Sequence, residues 1–285
     1  MKTYQACIPC VLTMMESTLE ITDLDKQTRQ DFLTRFQADW EQADMSLPPG
    51  RTAGALYHKI LHEIGQDDLF LAHKETSIQE ALNLYPRLKK LADESADSLD
   101  VAIRISALGN ILDIANPNSY DLEEEINHLL EYNIRGESLE IFREKIASAG
   151  SLLILADNAG ETVFDKVLIE TIDVPVIYAV KSGPAFDDAL IEDTKLAGID
   201  KVARTIETGH PYPGTYIPEC SLEFQELFQK APVILAKGQA NFESLSDTSR
   251  DIFFLLKVKC EIVQQEIGCP VGSLVLKYHQ SNQPD

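Results

Sequence analysis

The feature that most constrains the fold is a change of hydrophobic period near residue 150. Before that point apolar residues recur at steps of three and four, as Leu33, Phe36 and Trp40 do, which is typical of amphipathic helices. Beyond it, short apolar runs alternate with short helical stretches, which predicts βαβ units and a mostly parallel sheet. We therefore predict an α/β fold: a three-layer α/β/α domain over residues 148–285, preceded by an all-helical domain over residues 1–147.

The same patterns predict the individual elements. Helices are expected over 10–19, 24–40, 51–64, 78–92, 99–115, 122–131 and 139–147, and later over 162–172, 189–197, 222–229 and 261–266. Strands are expected over 151–156, 174–179, 201–206, 232–236 and 252–256, with none before residue 150. Pro86 is expected to kink or divide its helix, because proline cannot donate the hydrogen bond that the helix needs there.

Charge excludes two classes of partner. Lys and Arg number 25 against 46 Asp and Glu, a net charge of −21. A field of this sign repels nucleic-acid phosphates and anionic lipid. No apolar run reaches the roughly 18 residues that a membrane helix needs, and the N-terminal stretch lacks the features of a signal peptide. Five cysteines, an odd and low number, favour a reducing compartment over a disulfide scaffold. We expect a cytoplasmic protein that binds neither nucleic acid nor membranes.

Polar, glycine-rich segments follow four of the predicted strands. They cover residues 156–161, 181–188, 207–215 and 237–243. In open parallel sheets, ligands bind outside the carboxyl ends of the strands. These four segments are therefore predicted to meet in one crevice, and that crevice is the first place to look for chemistry.

The side chains in these segments indicate a cation and an anionic, phosphorylated ligand. Asp157 and Asn158 offer two oxygen donors at one strand end, and Asp187 or Asp188 offers a third from the neighbouring strand. Such donors suit a hard divalent cation that keeps waters and binds substrate phosphate. A plain turn with Asp157 as a helix N-cap is the alternative for this motif alone.

Phosphate donors are expected at two other strand ends. Lys237 offers a positive charge and Gly238 an open backbone N–H. Gly214 and Thr215 offer further donors from the preceding segment. The coincidence of all these groups at successive strand ends favours a site over four separate turns.

The motifs, in this order and spacing, resemble those of the damage-control phosphatase family, also known as the ARMT-like metal-binding family or domain of unknown function eighty-nine. The resemblance covers nearly the whole chain. Its motifs are Cys7-Ile-Pro-Cys10, Gly109-Asn110-Ile111-Leu112-Asp113, Asp157-Asn158-Ala159-Gly160-Glu161 with Phe164-Asp165, Asp187-Asp188-Ala189, Pro213-Gly214-Thr215, and 237–243. The N-terminal CxxC is similar to that of the prokaryotic branch.

The resemblance implies a metal-dependent phosphatase that acts on small phosphometabolites, with sugar phosphates as the first expectation. It implies a divalent ion (Mg, Mn, Co or Ni) held by Asp157, Asn158 and Asp188. It also implies that Lys237 lies against the phosphate, with Asn241 as the next choice in that motif. We expect Asp157, Asp188 and Lys237 to be catalytic, and Lys237, Asn241, Gly214, Thr215 and Glu161 to bind substrate. The oligomeric state is left open.

This chain departs from the family pattern in two places. The family often has Asn-Asp where this chain has Asp187-Asp188, although the alignment favours Asp188 as the ligand. An acidic residue is common shortly before Pro-Gly-Thr, where this chain has His210-Pro211-Tyr212, a difference that bears on substrate choice or on a supporting contact. The general acid or base is left open among Asp187, Glu161 and Glu243.

Two other functions stay open. A carboxyl methyltransferase could use the same sheet, but Asp157 stands where its glycines should be. A metal or phosphometabolite sensor without catalysis would fit the acidic composition and the CxxC. A panel of phosphate esters with the four metals separates these alternatives from a phosphatase.

A cysteine pair and a histidine pair are further candidates for metal or redox sites. Cys7 and Cys10 could form half a zinc site, a redox pair or a disulfide, and packing as small apolar residues is slightly favoured. Their position at a helix start is expected to lower a thiol pKa. His58 and His62 share one helix face but have no third ligand, so an ordinary helix face is favoured over a zinc site.

Overall fold

The computed structural model describes residues 1–109, 126, 134–136 and 138–281. Within these residues, six helices with described bounds precede the sheet: α1 (Cys7–Glu20), α2 (Lys26–Glu41), α3 (Pro49–Ile64), α4 (Leu71–Asp93), α5 (Ser98–Leu108) and α6 (Leu139–Ser148). The helix predicted over 122–131, the end of the one predicted over 99–115, and the motif residues Asn110 and Asp113 lie outside the described residues, apart from the helical residue Ile126.

One predicted boundary in this half is wrong. Helix α4 begins at Leu71, not at residue 78, and runs to Asp93 with Pro86 inside it, undivided. Its buried face, which includes Ile78, Ala81 and Leu88, packs into the large apolar core. That packing offsets the hydrogen bond that Pro86 cannot make.

The second half alternates strands and helices. The order is β1 (Leu152–Leu155), α7 (Glu161–Ile169), β2 (Val176–Val180), α8 (Ile191–Ala197), β3 (Arg204–Glu207), α9 (Leu222–Lys230), β4 (Val233–Lys237), α10 (Gly238–Leu245), β5 (Ile252–Lys257), α11 (Glu261–Ile267) and β6 (Leu274–His279). The predicted α/β fold, with a helical region before the sheet, is confirmed. The boundary between residues 147 and 148 stays a prediction.

Three details in this half were not predicted. Helix α10 begins directly at the end of β4, where only a loop was expected. β3 begins at Arg204 because residues Ile199–Lys201 form a 3-10 turn first. β6 pairs antiparallel with β5 at the sheet edge, and its last three residues are only partly buried.

The sheet has the strand order β3-β2-β1-β4-β5-β6, and all neighbours except β5 and β6 run parallel. The chain therefore leaves β1 toward β2 on one side and later returns to pair β4 on the other side. In open sheets of this kind, ligands bind where the order reverses, which here is at the carboxyl ends of β1 and β4. The predicted polar segments lie at this point.

Two apolar cores cover the two faces of the sheet. In β1, Leu152 and Ile154 face a core that also contains residues of α4, α5 and α7. Leu153 and Leu155 face a second core with residues of α9, α10 and α11. Because both faces are covered, the strand reads as a continuous apolar run rather than an alternating one.

A third apolar cluster joins α1, α2 and α3 to one another. It includes Trp40 and Tyr57, both almost fully buried, and it takes in Phe186 from the loop that follows β2. The helical layer therefore contacts the polar end of the sheet directly. Within the part of the chain that the structure describes, no helix combines the length and apolar character needed to cross a bilayer.

Candidate functional site

The loops that follow β1 and β2 are joined through their backbones. The N–H of Ala159 donates to the carbonyl of Asp187, and the N–H of Ala189 donates to the carbonyl of Asp157, both at 2.8 Å. Asn158 and Asp188 form an isolated antiparallel bridge between these two bonds. The structure thus brings together Asp157, Asn158 and Asp188, the three residues expected to bind a cation.

These side chains lie in a buried and negatively charged place. Asp157 and Asp188 are each 5% exposed. Burial raises the pKa of Asp188 to about 7; Lys181 acts against this rise and Asp187 adds to it. The ammonium of Lys181 lies 3.3 Å from the Asp188 carboxylate and donates to the Ala156 carbonyl at 3.0 Å. Lys181 was within a predicted segment but was not singled out.

The carboxylate of Asp157 lies directly over the start of α10. A Cβ placed on Gly238 would stand 1.8 Å from Asp157 Oδ2. Gly238 also has a φ of +74°, a left-handed conformation that favours glycine. The residue after Lys237 is therefore glycine for two reasons: the backbone conformation and the approach of the carboxylate.

Lys237 lies among carboxylates rather than in an open position. It is fully buried, and its ammonium pairs with Glu161 and Asp165 and donates to the Ser106 carbonyl. Burial acts against the charge, but Asp165 and Glu161 outweigh it and raise the pKa of Lys237, so the group stays protonated. Two predicted site residues, Lys237 and Glu161, are therefore in contact.

Asp165 is the residue that sequence reasoning placed in a motif but left out of the site. Its Oδ1 accepts from Ser106 Oγ at 2.6 Å and its Oδ2 accepts from the Tyr178 hydroxyl at 2.7 Å. Its position four residues after Glu161, one helical turn later on the same face of α7, was the sequence feature that could have revealed it.

Asn241 links the loops at this end of the sheet through hydrogen bonds. Its amide nitrogen donates to the carbonyls of Lys237 at 2.8 Å and Ala156 at 3.0 Å, and its amide oxygen accepts from Thr215 Oγ1 at 2.7 Å. Gly214, with a φ of +78°, is placed so that a Cβ would lie 2.5 Å from the carbonyl oxygen of Ala240. The structure thus brings all the predicted substrate-binding residues to one end of the sheet, with Asn241 and Thr215 bound to each other.

Comparison with known proteins decides the family. The sequence model of the damage-control phosphatase ARMT1-like domain matches residues 3–275. The chain belongs to this damage-control phosphatase family.

The relatives match along most of their length. The damage-control phosphatase of Pyrococcus horikoshii is 35% identical over 96% of this chain and 97% of its own. A damage-control phosphatase of Archaeoglobus fulgidus is 34% identical over 79% of this chain and 81% of its own. The crystal structure of a DUF89 family protein from Pyrococcus horikoshii superposes with a TM-score of 0.89 and 30% identity, and covers 98% of this chain and 100% of that one.

In this damage-control phosphatase family member, the environment of His210 is unusual for a histidine side chain. It is fully buried, and within the described part of the chain neither ring nitrogen has a hydrogen-bond partner. Burial lowers the pKa of His210 to about 4, so the ring is neutral near pH 7. Its Nδ1 lies 3.8 Å from the Glu219 carboxylate, which Arg51 also binds at 2.7 Å.

Of the acid or base candidates, Glu243 lies on a different face of α10 from Asn241. Positions two residues apart in an α-helix point about 200° apart around its axis. Burial raises the pKa of Glu243 to about 7, and Gln239 donates to its carboxylate at 2.9 Å. Asp187 and Glu161 are the candidates that lie beside the predicted metal ligands.

The prediction that the helix start lowers a cysteine thiol pKa is wrong. Burial raises the pKa of Cys7 and of Cys10, and the nearby Cys260 and Glu243 add to the rise. Burial and these neighbours outweigh any effect of the helix start. All five cysteines are free thiols.

His58, one of the two histidines predicted to share a helix face, contacts the carbonyl of Pro184 through its ring at 2.7 Å.

Proposed function

We propose that this chain is a divalent-metal-dependent phosphatase that hydrolyses phosphate monoesters of small metabolites, with sugar phosphates or damaged phosphorylated metabolites as substrates. The observation that carries the proposal is the backbone pairing of residues 157–159 with 187–189, which places two carboxylates and an amide where the strand order reverses. The names of the curated relatives in two archaea support a phosphatase role.

The residues present fit a hard divalent cation. Asp157, Asn158 and Asp188 supply only oxygen ligands, as Mg²⁺ and Mn²⁺ prefer, and Co²⁺ or Ni²⁺ accept. Among the described residues no three His, Cys, Asp or Glu side chains form a metal-binding group by themselves. The set therefore depends on the Asn158 amide and leaves positions for water and substrate oxygens. The amide nitrogen of Asn158 is buried and has no hydrogen-bond partner in the described chain.

A bound cation would neutralise phosphoryl oxygens and lower the pKa of a bound water. The chain's own residues supply the remaining requirements. Lys237 is kept protonated by Glu161 and Asp165, and we propose that its charge stabilises the phosphoryl group electrostatically. Asp187 and Glu161 are the groups that we propose can hold or move a proton beside the reacting phosphate.

The first test is Asp157→Asn, which removes a ligand charge and keeps the side-chain shape. Phosphate release should be measured from a panel of sugar phosphates with Mg²⁺, Mn²⁺, Co²⁺ or Ni²⁺. We expect activity to fall by at least about a hundredfold, because the site loses a negatively charged ligand. Asp39→Asn, a change at an exposed residue of α2, is the matched control and should be fully active.

The outcomes separate the remaining functions. A folded Asp157→Asn variant with full activity contradicts the assignment of this site. A native protein that binds the metals but releases phosphate from no ester favours the non-catalytic sensor. Methyl transfer from a methyl donor to a carboxylate, in place of phosphate release, favours the methyltransferase.

A further inference from the structure

Phe186 has the backbone conformation that most needs explanation in this structure. Its φ is +56°, and no other non-glycine residue in the described ranges has a positive φ. A bulky L-residue is unfavourable in this left-handed region, because its Cβ approaches the backbone too closely. Such a conformation persists only where the surroundings hold it, and such residues concentrate at functional sites.

An aromatic stack from the helical layer holds Phe186. Its ring lies on that of Tyr57 in α3, with centroids 4.3 Å apart and planes inclined by 21°. The ring of Phe70 meets it edge-on at 6.0 Å. Phe186 is 4% exposed, and it is the one buried member of the α1–α3 cluster that comes from beyond residue 150 in the described chain. The ring contacts of Phe186 therefore come from the helical region.

Phe186 directly precedes the two aspartates of the site. The N–H of Asp188 donates to the carbonyl of Ala185 at 3.1 Å, closing a tight turn around Phe186. The carbonyl of Asp187 accepts from Ala159 at 2.8 Å. The direction in which the chain leaves Phe186 thus decides whether Asp187 and Asp188 meet the loop that carries Asp157.

Helix α3 also contacts the loop after β2 at a second point, and it contacts the loop after β3. His58 lies 2.7 Å from the Pro184 carbonyl, two residues before Phe186. Gly54 is so close to the loop after β3 that a Cβ there would stand 2.5 Å from the Cβ of Tyr212. The helix is therefore packed against the loops that follow β2 and β3, and it is well placed to hold them.

We propose that the Tyr57–Phe186 stack is a positioning device: α3 holds Phe186 in its left-handed conformation and thereby sets Asp188 in place as a metal ligand. Tyr57 and Phe186 are positioning residues, since they act through Asp188 and not on the substrate. The inference rests on the proposed metal-dependent function, and it adds that the helical region determines the metal affinity of the sheet.

The test uses matched variants of the full chain. Phe186→Leu keeps an apolar side chain but loses the stack, and Phe36→Leu makes the same change elsewhere in the same cluster. Tyr57→Ala removes the supporting ring, whereas Tyr57→Phe keeps the ring and removes only the hydroxyl. Mn²⁺ alone is titrated calorimetrically into each variant, and folding is checked by circular dichroism and thermal unfolding.

The expected result is a loss of Mn²⁺ affinity of about 10- to 100-fold in Phe186→Leu and Tyr57→Ala, the range found when groups that orient a metal ligand are removed. Phe36→Leu should lower thermal stability about as much as Phe186→Leu does, yet leave Mn²⁺ affinity unchanged. Tyr57→Phe should also leave Mn²⁺ affinity unchanged. Loss of core packing alone would affect the two leucine variants equally.

Two results overturn the inference in distinguishable ways. Unchanged Mn²⁺ affinity in folded Phe186→Leu and Tyr57→Ala rejects the positioning role and leaves the proposed phosphatase function standing. A native protein that binds none of Mg²⁺, Mn²⁺, Co²⁺ or Ni²⁺ rejects the metal-dependent function, and the positioning role with it.

Discussion

At the scale of single residues, the site is shaped by the close approach of the Asp157 carboxylate to the backbone of Gly238. Asp157 occupies the space that a side chain on Gly238 would need, and the N-terminal end of α10 lies directly beneath it. The partial positive charge at a helix start stabilises a nearby carboxylate. Gly238 therefore does more than allow a turn, because it lets the charged end of a helix reach the predicted metal ligand.

Gly238→Ala should be unusually destabilising, and Gly65→Ala is its control. Both glycines have left-handed backbones, with φ of +74° and +73°, but a Cβ on Gly65 would meet nothing within 4 Å. We expect about 1 kcal/mol from backbone strain at Gly65 and about 3 kcal/mol or more at Gly238, where a buried carboxylate must also move. Urea unfolding measures both values, and equal values would contradict the close approach.

The individual residues also show where sequence reasoning stops. The meeting of the loop of Asp157 and Asn158 with that of Asp187 and Asp188 was predictable because strand ends in a parallel sheet must meet at one edge. The choice of Asp188 over Asp187 came from the family resemblance and stays a prediction. Lys181 and Asp165 were not singled out, because their roles depend on contacts that form only in the folded chain. Lys181 meets Asp188 when the loop after β2 folds back, and Asp165 meets Lys237 and Tyr178 from other elements. Nothing in the sequence near Phe186 indicates its conformation.

At the scale of elements, one carboxylate adds to the backbone pairing that joins the edge strand β6 to β5. Asp251, just before β5, accepts from the hydroxyl of Tyr278 in β6 and from the N–H of Ser281 at 3.0 Å. Lys145 of α6 lies 3.4 Å away. β6 was missed because its short apolar run follows the last predicted helix and has no helix after it to complete a βαβ unit.

The contacts of Asp251 predict how stability depends on pH. Burial acts to raise its pKa, but the hydrogen bonds from Tyr278 and Ser281 outweigh that effect and lower the pKa to about 2. Since the folded pKa lies below the unfolded value of about 3.9, the stabilisation is present above pH 4 and is lost as the pH falls toward 2.

Asp251→Asn measures this contribution. The side chain is 39% exposed, so solvent screening limits the contribution to about 1 kcal/mol or less. The difference in unfolding free energy between the native protein and the variant should be largest near pH 6 and should shrink toward zero by pH 2. A difference that stays constant over this range would contradict the contribution of Asp251.

At the scale of the whole molecule, the helical region and the sheet share their packing. Helices α4 and α5 contribute to the core on one face of the sheet, and Phe186 joins the α1–α3 cluster. Alternation of period predicted the two regions and the parallel sheet, but not this sharing, because the packing partner of an amphipathic face is not encoded in its period.

Shared packing predicts one cooperative unfolding transition for the whole chain. Trp40, the single tryptophan, is buried in the α1–α3 cluster and reports on the helical layer. Hydrogen exchange in β1 and β4 reports on the sheet. The two probes should give the same urea midpoint, as expected for two-state unfolding. Separate midpoints would show that residues 1–147 and 148–285 unfold independently.

The pairing of the loops after β1 and β2 has a consequence for redesign. The bonds that join them run between backbone atoms of Asp157, Ala159, Asp187 and Ala189, and none of them uses a side chain. The donor atoms at these positions can therefore be exchanged while the scaffold that presents them stays joined. On the proposed function, metal preference is a property that side chains alone can alter. We expect a histidine nitrogen in place of the Asp188 carboxylate to move the preference from hard cations toward softer ones.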